Sequence, residues 1–84
     1  MSGNVSFQQL PGAAKDVAVG GDGSVWVIGT NPVGSAGDFG IFRFNGTAFE
    51  PVDGGGVRIA VAPDGLPFAV NSKGQIFRGT LSPA

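Results

Sequence analysis

The chain has no cysteine, no histidine and no tyrosine among its 84 residues. Without cysteine there is no disulfide framework, the usual reinforcement of a small secreted domain. Without cysteine or histidine only carboxylates remain as metal ligands, a poor set for zinc, and no cofactor is expected. The same absences remove the common thiol, imidazole and phenol groups of acid–base and nucleophilic chemistry, so no enzyme is expected. Charge is scarce as well, with 5 basic and 6 acidic residues and a formal net charge of −1. No basic stripe offers itself to a phosphate backbone, which excludes nucleic acid as an expected partner. The opening MSGNVSFQQL has neither a basic start nor an apolar run, so no signal peptide is read there. No apolar run is long enough to span a bilayer, and the expectation is a soluble chain of unassigned compartment. Helical periodicity is missing too, since Gly or Pro interrupts nearly every window of three turns.

What is abundant is glycine, at 16 residues, set without collagen period between short apolar runs. That pattern belongs to short strands joined by tight turns. Strands are expected near Val5–Leu10, Asp16–Gly20, Ser24–Gly29, Gly40–Asn45, Thr47–Val52, Val57–Ala62, Pro67–Asn71 and Gln75–Gly79. The connections have mechanisms. APDGL at Ala62–Leu66 supplies a proline with preset φ and a glycine for positive φ, and GGDGS at Gly20–Ser24 is its counterpart. Asn45-Gly46 is a strong hairpin signal, and NSKG at Asn71–Gly74 closes another. Consecutive antiparallel strands follow.

The chain also repeats itself. Phe7 aligns with Phe49, and the same offset of 42 pairs Gly12 with Gly54, Ala18 with Ala60 and Val19 with Val61. Asp22-Gly23 then meets Asp64-Gly65, and Trp26 meets Phe68. After a gap of seven residues in the second copy, IFR at Ile41–Arg43 meets IFR at Ile76–Arg78. Units of roughly 35–42 residues with four short strands match the blade of a β-propeller. VWVIG and IAVAP lack the clean alternation of a strand with one wet face, which suits blades covered on both sides.

The fold expected is therefore all-β, with propeller blades of four antiparallel strands and two blades per chain. Residues 11–52 form the first blade and 53–79 the first three strands of the second, with 80–84 a tail. Residues 3–10 align with the outer strand of the first blade, so they are expected to supply the second blade's missing strand. Two blades cannot bend into a ring, and their ends would leave an open edge and two bare apolar faces. The repair is donation of that N-terminal strand to a neighbouring copy, head to tail, until a ring closes. Val5, Phe7 and Leu10 on one side and Ile76, Phe77 and Arg78 on the other are the expected oligomer contacts.

Two segments, FQQLPGAAKDVAVGGDGSVWVIG with IFRF and FEPVDGGGVRIAVAPDGLPFAV with IFR, resemble the tectonin repeat across nearly the whole chain. The resemblance implies a propeller of about six blades, hence a trimer of two-blade chains. It further implies a lectin, since several members of the family bind glycans. The chain departs from the family pattern at three kinds of position. Phe7 and Phe49 stand where tryptophan is usual, Phe42 and Phe77 where tyrosine is, and Phe68 replaces the second core tryptophan. Each change removes a polar tip from an aromatic ring.

Each candidate site also has a purely structural account. Asp22 and Asp64 are each followed by glycine, so turn formation accounts for them without glycosidase or calcium chemistry. DGGGV and GSAGDFG run into strands and lack the following helix of a phosphate cradle. Trp26 sits mid-strand and reads as a residue buried between blades. Arg43 and Arg78 recur in register, and duplication alone explains that. The extra length in TNPVGSAGDFG, Thr30–Gly40, is the more distinctive feature, because function concentrates on such loops. Asn31, Asp38 and Phe39 offer amide, carboxylate and ring for a sugar, and Asn71 and Lys73 lie on the equivalent rim of the second blade. Glycans and other copies of the chain are the expected partners; the alternative is a designed or trimmed propeller fragment whose only activity is self-assembly.

Overall fold

The computed structural model describes residues 5–34 and 36–80. Residues 3 and 4 of the expected donated strand and 81–84 of the tail lie outside them. Among the described residues there is no helix, and the protein is all-β. Within the described residues seven strands form two antiparallel sheets. The first contains β1 (Asp16–Val19), β2 (Val25–Val33), β3 (Asp38–Phe44) and β4 (Phe49–Gly56), in that order. The second contains β5 (Arg58–Val61), β6 (Pro67–Val70) and β7 (Ile76–Arg78).

The duplication read from the residues is present in the hydrogen-bond register. Val17 pairs with Val27 and Ala18 with Trp26 in the first sheet. Ile59 pairs with Ala69 and Ala60 with Phe68 in the second, each the same offset along the chain. The next ladder repeats too, with Trp26 opposite Arg43 and Phe68 opposite Arg78. The turns are likewise copies. Ser24 N–H donates to Asp22 Oδ1 at 2.9 Å and Leu66 N–H to Asp64 Oδ1 at 3.0 Å. Each Asp side chain thus ties down the backbone two residues on, the local bond that makes Asp-Gly a turn former. Gly65 closes the second turn at φ +88°, a conformation open to glycine and strained for other residues.

Asp22 also accepts from the Ser24 hydroxyl at 2.7 Å. That hydroxyl, and then the Ser24 N–H, hold the Asp22 carboxyl below its ordinary value. A depressed folded value means its contribution to stability is present above the unfolded pKa and is lost as pH falls through the folded one. The urea midpoint of the wild type over Asp22→Asn is therefore expected to shrink as pH drops below about 4. A difference that stays constant from pH 6 to pH 3 would contradict this account.

The two sheets stack face to face through a small apolar core of Trp26, Ile28 and Ile41 from the first and Ile59 and Ala69 from the second. Alternation selects these residues. In β1 and β5 every second side chain points between the sheets, while Val17, Val19 and Ala60 point out. The chain crosses between sheets at Gly56, where a Cβ would lie 3.0 Å from the Val70 carbonyl oxygen, so the close approach favours glycine. Asp16 Oδ2 then accepts the Ile59 N–H at 2.8 Å, joining β1 directly to β5.

Trp26 Nε1 is buried without an acceptor among the described residues. The matching residue of the second sheet, Phe68, has no N–H to satisfy. Trp26→Phe is accordingly expected to change stability by less than about 1 kcal/mol, lost ring contacts being offset by removal of an unpaired donor. Chemical denaturation followed by circular dichroism checks this; a loss above about 3 kcal/mol would show that the indole N–H is bonded.

Val5–Leu10 is the expected strand that forms no ladder within the chain. The reason is placement. Gly12 lies beside Phe49, and Leu10–Ala14 runs along Val17, Val27 and Phe42 on the face of the first sheet opposite the core. The free edge at β7 belongs to the second sheet, on the other side. Two further differences concern length. β2 and β3 continue past a bulge between Ile28 and Pro32, so most of Thr30–Gly40 is ladder and not loop. β4 runs on to Gly56 after a register shift, pairing Gly55 with Gly40 and Gly56 with Phe39, where a loop was expected at Asp53–Val57.

Candidate functional site

The extended β2–β3 hairpin and the Asn71–Gly74 turn meet on one rim. Ser72 N–H donates to Asp38 Oδ1 at 2.6 Å, and Ser72 Oγ donates to the Ala36 carbonyl at 2.6 Å. Four of the five residues singled out for ligand contact come together here: Asp38, Phe39, Asn71 and Lys73. Three of them already have structural work. One Asp38 oxygen holds the Ser72 amide. Asn71 Oδ1 accepts from Lys73 N–H at 3.0 Å and Gln75 N–H at 2.9 Å, while its Nδ2 donates to Gln75 Oε1 at 2.8 Å. Phe39 packs on the edge of the core, with the Lys15 ammonium 4.4 Å from its ring centroid. Lys73 stands exposed at the tip of the turn.

Asn31 lies elsewhere, against Gly29 and Gly40, in the wall of a separate cavity. That cavity holds about 470 Å³ on the outer face of the first sheet. Its apolar wall includes Leu10, Pro11, Val27, Phe42 and Phe49, and Thr30 and Asn31 place hydroxyl and amide groups at one end. Apolar lining with a few convergent polar groups is the usual make-up of a small-molecule site.

A second cavity of about 310 Å³ is its counterpart. Asp53, Gly54, Gly55, Ala69, Asn71 and Phe77 line it, and by the repeat these are Pro11, Gly12, Ala13, Val27, Gly29 and Phe42 of the larger one. The smaller cavity has one wall without an equivalent: Ile41, which reaches it from the first sheet. It is therefore a groove between two stacked sheets. The larger cavity is the equivalent groove on the outer face of the first sheet, where the second sheet does not reach. The wall residues Pro11–Ala13 and Phe42 were not singled out for ligand contact, although the alignment of Gly12 with Gly54 marked the strip they belong to.

The residues expected at an oligomer contact are exposed. Phe7 is 98% and Ile76 73% accessible, and Val5, Leu10, Phe77 and Arg78 are open to solvent as well. Among the described residues no group of three or more carboxylates is placed to hold a metal ion, and no helix is long and apolar enough to cross a membrane. No protein-family model matches the chain, and no curated protein sequence matches it significantly.

Proposed function

We propose that the chain is a tectonin-like, carbohydrate-binding propeller segment that completes itself by assembling with further copies, most simply as a trimer of about six blades. The observation that carries this is the unequal pair of sheets. The first has four strands and the second three, although their registers match strand for strand as far as the second extends. Among the described residues no counterpart of β4 pairs with β7, and Val5–Leu10, which aligns with β4, is left unpaired on the other side of the molecule. Donation of this segment to β7 of a neighbour supplies the strand and hides Phe7, Ile76 and Phe77 at once.

Glycan binding follows from the resemblance and is supported by the groove chemistry, an aromatic wall with amide and hydroxyl groups at one end. A ring repeats each weak site several times, so affinity for a surface of many glycans grows by avidity. The second reading, a scaffold with no ligand of its own, is favoured by one observation: one Asp38 oxygen and the Asn71 oxygen are committed to bonds within the rim.

Light scattering on a sizing column, followed by a glycan array with the same sample, tests both parts. A molar mass of three chains with array signal that falls in Asn31→Ala, at unchanged mass, is the expected result. A multimer silent on the array leaves the scaffold reading. A monomer removes the proposal.

A further inference from the structure

The stacking contact inside the chain is a template for a contact between chains. Within one chain, Ala18, Trp26, Ile28 and Ile41 of the first sheet meet Ile59, Val61 and Ala69 of the second. By the repeat, the first set corresponds to Ala60, Phe68, Val70 and Ile76, on the outer face of the second sheet. The second set corresponds to Val17, Val19 and Val27, on the outer face of the first. Val27 is already buried, and Leu10–Ala14 passes along this face, but the β1 part of it is open, with Val17 60% and Val19 62% accessible, and Phe68 and Ile76 are exposed on the other side. The molecule therefore carries, on opposite sides, the two halves of a contact it already makes internally.

We propose that a second copy of the chain seats its Ala60–Phe68–Ile76 face on the Val17–Val19–Val27 face of the first, in the register of the internal contact. The inference rests on the ring reading above and specifies its partner, faces and register. The contact is heterologous, with each copy using a different surface, so it propagates until the ring closes. It also completes the larger groove. Ile41 walls the smaller groove inside the chain, and its equivalent, Ile76 of the next copy, walls the larger one. The site lined by Phe42 and Asn31 is thus shared between two chains.

One feature differs between the two contacts. Asp16 accepts the Ile59 N–H across the internal junction. The position equivalent to Asp16 is Arg58, which has no acceptor to offer the Val17 N–H of the next copy. The junction between chains lacks this bond and is the weaker of the two, the place where rings come apart.

The test uses the absence of native cysteine. Gly20 and Val61 touch across the internal junction, with a Cβ on Gly20 falling 2.7 Å from Val61 Cγ1. Their equivalents between copies are Ala62 and Val19. Val19→Cys and Ala62→Cys chains, refolded together and oxidised with glutathione disulfide, are expected to give a covalent dimer of one chain of each kind. Neither variant alone should cross-link. Arg58→Asp is expected to lower the concentration at which the assembly dissociates about tenfold, by restoring an acceptor. Cross-linking of Val19→Cys with itself would show a two-fold contact and overturn the proposal. So would a multimer, seen by light scattering, in which the mixed pair fails to link. A monomer at all concentrations would instead overturn the ring reading beneath it.

Discussion

Ile28→Ala is expected to unfold much of the population at room temperature. Among the described residues Ile28 is the one large side chain with no accessible surface, and it belongs to the apolar layer between the sheets. Truncating a buried isoleucine costs about 2–5 kcal/mol, the transfer of three carbons plus the cavity they leave. The upper part of that range applies, because the surrounding backbone cannot close the gap. Gly56, at the crossing between sheets, would place a Cβ only 3.6 Å from Ile28 Cδ1, so the crossing itself rests against this side chain. A small domain has about 5–15 kcal/mol in total, and the core here is only a handful of residues. The urea midpoint should fall to near zero, whereas Ile28→Val should lose about 0.5–1.5 kcal/mol. An Ile28→Ala protein within 1 kcal/mol of the wild type would mean that the two sheets do not stack as described.

Asp16→Ala is expected to cost about 1.5–3 kcal/mol, the range for hydrogen bonds to a charged group. The bond to Ile59 N–H spans 43 residues and is part-buried, so its loss leaves a backbone donor facing the inter-sheet seam with no partner. The consequence reaches beyond stability. Asp16 ties β5 to β1 at Ile59, the residue that pairs with Ala69 in the wall of the smaller groove. Hydrogen exchange at the Ile59 amide should accelerate in Asp16→Ala more than at amides within the ladders. Asp16→Asn keeps an acceptor and should recover more than half of the loss. Equal destabilisation by both substitutions would assign the effect to charge instead of to the bond.

Seven of the eight expected strands are present, and the reasons lie in particular residues. Asp22-Gly23 and Asp64-Gly65 announce their turns through side-chain bonds that need no tertiary partner. β1 and β5 were legible because their apolar residues sit beside such turns. The long β2–β3 hairpin was not, since Asn31 and Pro32 are poor strand residues by composition. Their ladder exists because a bulge after Ile28 re-aims the chain, and because β4 extends alongside through Gly55 and Gly56. Glycine in a strand carries no side chain to announce it, so the continuation of β4 had no local signal. The candidate site shows the same division. Asp38, Phe39, Asn71 and Lys73 were placed on one rim from the order of strands. That Asp38 and Asn71 each spend an oxygen on backbone amides depended on how closely the two hairpins approach.

Residue order alone established the turns, the antiparallel succession, the duplication and the all-β class, because each rests on interactions within a few positions of the chain. The stacking of the sheets, the bond from Asp16 to Ile59, the grooves and the stranded position of Val5–Leu10 were decided only in three dimensions. They depend on which faces meet across some 40 residues of chain, and burial of apolar surface is non-directional until close packing selects one arrangement.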